Sequence, residues 1–221
     1  MGALTQEVPK PMLVVGGHTI LEHILDRLGA AGIAEALVVT GYLGEQIESG
    51  LSRCRMPIEF RRQEALDGTA RAALLAREWA GAEDFLLTFG DILAEAEDYR
   101  GLIAMLEADP ASHGVVAVQY AADPWRGAAV YEASGLLTAI FEKPPPGTSS
   151  THWNSAGIYA FRTAVFDELA RVPMSPRGEY ELTSAIEQMI AAGRALRMYT
   201  LRGTWRDVGR PEDLEAAGNI L

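Results

Sequence analysis

The chain has one cysteine, Cys54, among 221 residues. A lone thiol excludes an intrachain disulfide framework and fits a reducing cytoplasm. Cys54 lies between Arg53 and Arg55, but nothing else in the sequence supports a cysteine nucleophile, so it reads as incidental. No apolar run approaches the roughly 20 residues that span a bilayer, and residues 1–10 carry no hydrophobic signal region. A soluble, cytoplasmic protein is expected. Basic residues are outnumbered, 19 against 30 acidic ones, for a net charge of -11. That balance disfavours nonspecific binding to nucleic acid or an anionic membrane, while leaving room for a local basic pocket. The four histidines, His18, His23, His113 and His152, lack metal-ligand spacing and read as structural.

What is present is ample apolar material. Hydrophobic residues make up 48% of the chain, enough for a real core in one domain. Ile20, Leu21, Ile24, Leu25 and Leu28 recur at helical spacing, and Thr19 with Glu22 has the form of a capping box. The run Ala36-Leu37-Val38-Val39-Thr40 reads as a buried strand. Further strands are expected at 57–60, 85–89 and 115–118, alternating with helices at 43–51, 69–79 and 99–108. This alternation implies βαβ units and an α/β fold: a Rossmann-like, mostly parallel mixed sheet flanked by helices. After Tyr120 the texture changes. Short strands at 130–131 and 136–141 surround a turn at Ser134-Gly135, and Pro144-Pro145-Pro146-Gly147 marks a loop. A strand at 156–161, helices at 164–170 and 182–192, an edge strand at 196–201 and a terminal helix at 211–221 complete the reading. A single domain over 1–221 is expected, with 1–120 as one part and 121–221 as another.

Several residues stand where chemistry is commonly done. Asp91 follows a buried strand through a glycine, and ligands of open α/β sheets bind beyond the carboxyl ends of strands. A carboxylate there can hold Mg²⁺, which prefers oxygen ligands; it can equally cap a turn. Asp207, in Trp205-Arg206-Asp207-Val208-Gly209, reads alone as a turn residue, but paired with Asp91 it could clamp one Mg²⁺ over a triphosphate. Lys10 is aimed by two prolines in Pro9-Lys10-Pro11. Lys143, in Glu142-Lys143-Pro144, could neutralise a phosphate, and Glu142 could accept hydrogen bonds from sugar hydroxyls. Solvated lysines are the plain alternative for both. Gly68-Thr69-Ala70 opens a helix, suited to an anion, a close backbone approach or a simple Thr69 cap. Gln63 has the donor and acceptor needed to read a base edge.

The order of these segments is distinctive. Leu4-Thr5, Pro9-Lys10-Pro11-Met12, Val15-Gly16-Gly17 and Ile20-Leu21-Glu22 are followed by Gly41-Tyr42-Leu43-Gly44, Gly68-Thr69-Ala70 and Gly90-Asp91. Then come Asp123-Pro124 with Gly127, Glu142-Lys143-Pro144, Asn154 with Gly157-Ile158-Tyr159, and Gly178-Glu179-Tyr180-Glu181-Leu182-Thr183. The series ends with 205–209 and Pro211-Glu212-Asp213-Leu214. Over nearly its whole length the chain resembles the sugar-1-phosphate nucleotidylyltransferases, above all the glucose-1-phosphate thymidylyl- and uridylyltransferases. The resemblance implies that Lys10 contacts the nucleotide phosphates, Gln63 and Gly68 hold the base, and Asp91 and Asp207 bind Mg²⁺. It implies that Gly127, Glu142 and Asn154 line the sugar site and Lys143 holds the sugar phosphate. Residues 1–120 would form the nucleotide-binding part and 121–221 the sugar-binding part. The partners implied are a nucleoside triphosphate, dTTP or UTP favoured, and a sugar-1-phosphate, glucose-1-phosphate favoured. The family often forms dimers or tetramers.

Members of that family open with a buried strand and a Gly-x-Gly-Thr-Arg type loop ahead of the Leu-Thr segment, and this chain opens Met1-Gly2-Ala3-Leu4-Thr5. Such a loop cradles a triphosphate with backbone N–H groups. Three explanations are open: a start placed downstream of the true one, which is favoured; a non-catalytic homologue that binds a nucleotide sugar; or another segment or subunit that fills the gap. A mannose-1-phosphate guanylyltransferase or an amino-sugar-1-phosphate uridylyltransferase is the alternative within the same fold.

Overall fold

The computed structural model describes residues 7–208 apart from 53. The expected terminal helix at 211–221 and the segments Leu4-Thr5 and Pro211-Glu212-Asp213-Leu214 lie outside the described residues, as do Arg53 and Gly209. The chain divides into two compact units. Among the described residues, the first comprises 7–64, 89–100 and 202–208, and the second comprises 65–88 and 101–201.

The first unit opens with a 3₁₀ turn, Lys10–Met12, in which Pro9 precedes the turn and Pro11 lies within it. Strands β1 (Val14–Val15) and β2 (His18–Thr19) form a hairpin whose two-residue loop, Gly16-Gly17, has positive φ at both positions. Primed turns of this kind match strand twist and select glycine. Helix α1 (Ile20–Ala30) follows with the expected capping box. The Thr19 hydroxyl accepts from the Glu22 N–H at 3.1 Å, and the Glu22 carboxylate accepts from the Thr19 N–H at 2.7 Å. Ile20, Leu21, Ile24, Leu25 and Leu28 form its buried face. Strands β3 (Ala36–Thr40) and β4 (Ile58–Arg62) pair in parallel, joined through α2 (Gly44–Gly50), the crossover connection that parallel strands require. Strand β6 (Ile92–Ala94) pairs antiparallel with β12 (Trp205–Asp207).

The second unit is built on a six-stranded sheet in the order β5–β10–β7–β11–β9–β8. The strands are β5 (Phe85–Thr88), β7 (Gly114–Tyr120), β8 (Ala128–Ala133), β9 (Leu136–Glu142), β10 (Trp153–Phe161) and β11 (Leu196–Thr200). The sheet is mixed and flanked by helices, as expected. Its ladders lean antiparallel, however: only β7–β11 is parallel. The reason is β10, which runs against both of its neighbours β5 and β7 and separates two strands that point the same way. β10 also divides one edge between two partners. Residues 158–161 pair with β5, whereas Trp153 and Asn154 pair with β8. A register shift between Ser155 and Tyr159, with Gly157 at φ 73°, marks the changeover; a bulge bends a strand and redirects it in this way. Val115–Val118 are fully buried, which explains their unbroken apolar run.

Helices α3 (Thr69–Leu74) and α4 (Arg77–Ala80) replace the single helix expected at 69–79. Helix α5 (Ala96–Ala108) starts one turn earlier than expected. Helices α6 (Val165–Leu169) and α7 (Leu182–Ala191) pack with α3, and α7 lies on β9. No helix among the described residues is long and apolar enough to cross a membrane.

Candidate active site

In the first unit, the short β6–β12 ladder decides where two carboxylates stand. Asp207 pairs in register with Ile92, and the Val208 N–H donates to the Asp91 carbonyl at 3.0 Å. Asp91 and Asp207, far apart in sequence, thus become neighbours. The 3₁₀ turn brings Lys10 to both. Its ammonium lies 2.5 Å from Asp91 Oδ2 and 3.5 Å from Asp207 Oδ1. Gly90 serves the same placement: a Cβ there would lie 3.3 Å from Pro11 Cγ, so a side chain would crowd the proline turn that carries Lys10. The side chains of Asp91 and Asp207 are 30% and 54% exposed. They are open to a ligand and already gathered on one positive charge.

Two carboxylates are a suitable protein contribution to Mg²⁺. The ion takes hard oxygen donors and keeps several positions for waters and substrate phosphates, so it is held by one or two carboxylates rather than by a full protein cage. Among the described residues no group of three histidine, cysteine or acidic side chains is placed to hold a metal ion, so the pair is the candidate site. Lys10 shows that a cation is accommodated between them.

The second unit gathers another group at one end of β8, β9 and β10. Ala128 pairs with Glu142, Ala129 pairs with Asn154, and the Lys143 N–H donates to the Gly127 carbonyl at 2.7 Å. Gly127, Glu142, Lys143 and Asn154 are therefore brought together by backbone ladders. At Gly127 a Cβ would fall 2.3 Å from Asn154 Oδ1, so any side chain there would displace the Asn154 amide. Asn154 is 8% exposed. Its Nδ2 donates to the Ser155 carbonyl at 2.8 Å, while Oδ1 is buried without a partner among the described residues. A buried acceptor left open is costly unless something fills it. Lys143 adopts φ 41°, a left-handed conformation uncommon for a non-glycine residue, and such strain concentrates at functional sites.

Glu142 is the carboxylate of this group. Burial, and then the like charge of Glu181, push its pKa above the ordinary glutamate value; Lys143, the Thr183 hydroxyl and Arg177 oppose the rise. Thr183 Oγ1 donates to Oε2 at 3.2 Å, and Arg177 donates to Oε1 at 3.3 Å. Sequence reasoning missed Arg177, Glu181 and Thr183 as contributors. Their one signal was position: they lie in or beside the segment 178–183 that the family resemblance had picked out.

The remaining two expected residues are placed differently. Gln63 directly follows β4, and its N–H donates to the Thr40 carbonyl at 2.8 Å, at the carboxyl ends of both parallel strands. Gly68, at φ 129°, faces the backbone of Tyr180, where a Cβ would meet the carbonyl oxygen at 2.3 Å. The Ala70 N–H donates to that carbonyl at 2.8 Å, and Thr69 Oγ1 accepts from the Leu182 N–H at 2.9 Å. Thr69 is therefore not the helix cap. The close approach expected at this helix start is made by the protein's own chain. Cys54 is half-buried and unpaired.

The profile of the nucleotidyl transferase family matches residues 2–221. The low-salt glycan biosynthesis nucleotidyltransferase Agl11 of Haloferax volcanii is 32% identical to the chain, over 99% of the chain and 61% of Agl11. The bifunctional protein GlmU of Methanococcus maripaludis is 30% identical, over 98% of the chain and 50% of GlmU. The chain thus spans only about half to three-fifths of these two curated relatives. It spans 90% of a third, the UTP–glucose-1-phosphate uridylyltransferase AglF of Haloferax volcanii, at 32% identity and 99% of the chain. Among solved structures, a Bacillus anthracis protein assigned as a glucose-1-phosphate thymidylyltransferase superposes with a TM-score of 0.87 at 23% identity, over 99% of the chain and 89% of its own length. A UDP-glucose pyrophosphorylase superposes with a TM-score of 0.84 at 19% identity, over 99% of the chain and 92% of its own length. At these identities the likeness concerns the fold.

Proposed function

We propose, since the chain belongs to the nucleotidyl transferase family, that it joins a nucleoside triphosphate to a sugar-1-phosphate and releases pyrophosphate. The favoured pair is UTP or dTTP with glucose-1-phosphate, a reading supported by the similarity to AglF over most of that enzyme's length. We read the chain as one catalytic domain working in the cytoplasm, which its single cysteine suits.

The observation that carries the proposal is the convergence of Asp91 and Asp207 on Lys10. In the reaction, a phosphate oxygen of the sugar phosphate attacks the α-phosphorus of the nucleotide. A new P–O bond forms, the bond to the bridging oxygen of the β-phosphate breaks, and pyrophosphate departs with its electron pair. Mg²⁺, when bound, would neutralise charge on the phosphate oxygens. Asp91 and Asp207 would hold it, and Lys10 would pair with the phosphates once they draw its ammonium from the carboxylates. In the second unit, Lys143 would pair with the sugar phosphate. Glu142 and Asn154 Oδ1 would accept from sugar hydroxyls, and Gly127 leaves the space they need. Gln63 and Gly68 would hold the base. Catalysis of this kind is positioning plus charge neutralisation.

The test is pyrophosphate release from Mg²⁺, glucose-1-phosphate and each of UTP, dTTP, GTP, CTP and ATP in turn. Release with UTP or dTTP is expected. Release with GTP alone would move the assignment to another base, and silence across the panel from folded protein would overturn the catalytic reading.

A further inference from the structure

We propose that Arg177 and Glu181 are positioning residues for Glu142, together fixing its carboxylate in the orientation that accepts sugar hydroxyls. This inference rests on the proposed sugar-phosphate site.

The geometry starts in a turn. Gly178, at φ 80°, lets the chain reverse so that its N–H donates to the Ser175 carbonyl at 2.9 Å. The Ser175 hydroxyl then works in two directions. It accepts from the Arg177 N–H at 3.2 Å and donates to Glu181 Oε1 at 2.8 Å. Glu181 is only 5% exposed. The same Oε1 stands 3.7 Å from Arg177 Nε, and Glu179 stands 3.7 Å from another guanidinium nitrogen. Arg177 is thus anchored at its backbone and its guanidinium before it reaches Glu142 Oε1 at 3.3 Å.

A buried carboxylate next to another carboxylate raises the energy of both unless a cation is shared. Glu181 faces Glu142 and works against its ionisation, so it does not serve as an electrostatic helper of that residue. Its contacts assign it a different task, holding the guanidinium that both carboxylates use. The other groups facing Glu142 are Lys143, whose ammonium lies 4.0 Å from Oε1, the Thr183 hydroxyl, and the buried Tyr159 phenol on β10. Among the described residues each Glu142 oxygen has one hydrogen-bond donor, Arg177 on Oε1 and Thr183 on Oε2. An ionised carboxylate accepts about four hydrogen bonds, so about two remain for a ligand, and their directions are set by those two donors.

The experiment compares the wild-type chain with Glu181→Gln, Arg177→Met and Arg177→Lys. The Glu142 carboxyl is titrated by ¹³C NMR, assigned with Glu142→Gln, and the KM values for glucose-1-phosphate and nucleotide are measured with kcat. Glu181→Gln is expected to raise the KM for glucose-1-phosphate with the nucleotide KM unchanged, because the guanidinium loses an anchor, while the lost like charge moves the Glu142 titration to lower pH; an unchanged KM would overturn the role given to Glu181. Arg177→Met should move the titration to higher pH and raise the KM for glucose-1-phosphate by about tenfold with the nucleotide KM unchanged. Arg177→Lys should restore the titration but not the KM, because the fork geometry is missing. Arg177 lies on a half-exposed turn, so its variants keep the test open should Glu181→Gln fail to fold. Glu142 titrating alike in all folded variants would overturn the proposal. Shifted titrations in a chain that turns over no sugar phosphate would overturn the proposed function while supporting the coupling.

Discussion

Lys10 sits 2.5 Å from Asp91 and 3.5 Å from Asp207, yet these groups are partly open to water. Exposed ion pairs contribute roughly 0–1 kcal/mol, so stability does not account for the cluster. Charge in the site does. Replacing Asp91 or Asp207 with asparagine should therefore cost Mg²⁺-dependent turnover on the order of a hundredfold or more, with little change in melting temperature. Full activity in either variant would remove the metal assignment. Glu142 makes a contrasting case, because its raised pKa means that the native chain holds this proton more tightly than the unfolded chain. The sign follows from linkage: stability from Glu142 is present below the ordinary value of 4.5 and is lost as the pH rises through the raised one. In urea unfolding, the stability of wild type relative to Glu142→Gln should fall as the pH is raised from below 4.5 towards neutrality. A flat or rising difference would show that Glu142 is not held in this way. Asp91, Asp207, Glu142 and Lys143 were all legible from their positions after strands or within motifs. Arg177 was not, because its role depends on Glu181, Ser175 and Glu142 meeting in space, and no local pattern carries that.

At the scale of elements, strongly periodic or capped segments were readable. Thr19 and Glu22 marked the start of α1, the apolar run at Ala36–Thr40 gave β3 with its observed bounds, and Ser134-Gly135 marked the β8–β9 hairpin. What stayed hidden is short or long-range. β6 and β12 have three residues each, too few for a periodic signal, yet their pairing joins Asp91 to Asp207. The antiparallel lean of the large sheet arises because β10 inserts between β5 and β7, a non-local event. The break between α3 and α4 was also missed, since alanine-rich sequence continues across it. Gly68 links two elements, fastening the start of α3 to the segment that leads into α7. Gly68→Ala would place a Cβ 2.3 Å from the Tyr180 carbonyl oxygen at a φ of 129°. Backbone cannot yield as a side-chain tip can, so the variant should lose at least about 2 kcal/mol of stability. It should also expose the 175–182 turn to proteolysis. A melting temperature within a degree of wild type would show that this fastening is dispensable.

For the whole molecule, the decisive fact is how the chain is shared between the two units. It passes from one to the other four times, at 64/65, 88/89, 100/101 and 201/202. Neither unit is a continuous stretch. The first is closed only when β12 returns to β6 near the end of the described chain, and the second is interrupted by the segment that carries Asp91. A unit assembled from separated stretches has loop-closure entropy to overcome that only its partner strands offset, so partial unfolding of one should release the chain ends that the other needs. Urea unfolding should accordingly be one cooperative transition, although the chain exceeds the size at which two-state behaviour is usual. The tryptophans make this measurable. Trp205 belongs to the first unit, whereas Trp79, Trp125 and Trp153 belong to the second. Fluorescence of wild type, fluorescence of Trp205→Phe and far-ultraviolet circular dichroism should share one midpoint. A separate midpoint in the difference between the two fluorescence curves would mean that β12 and β6 part before the large sheet melts, and the Asp91 and Asp207 carboxylates would then be the least protected portion of the fold.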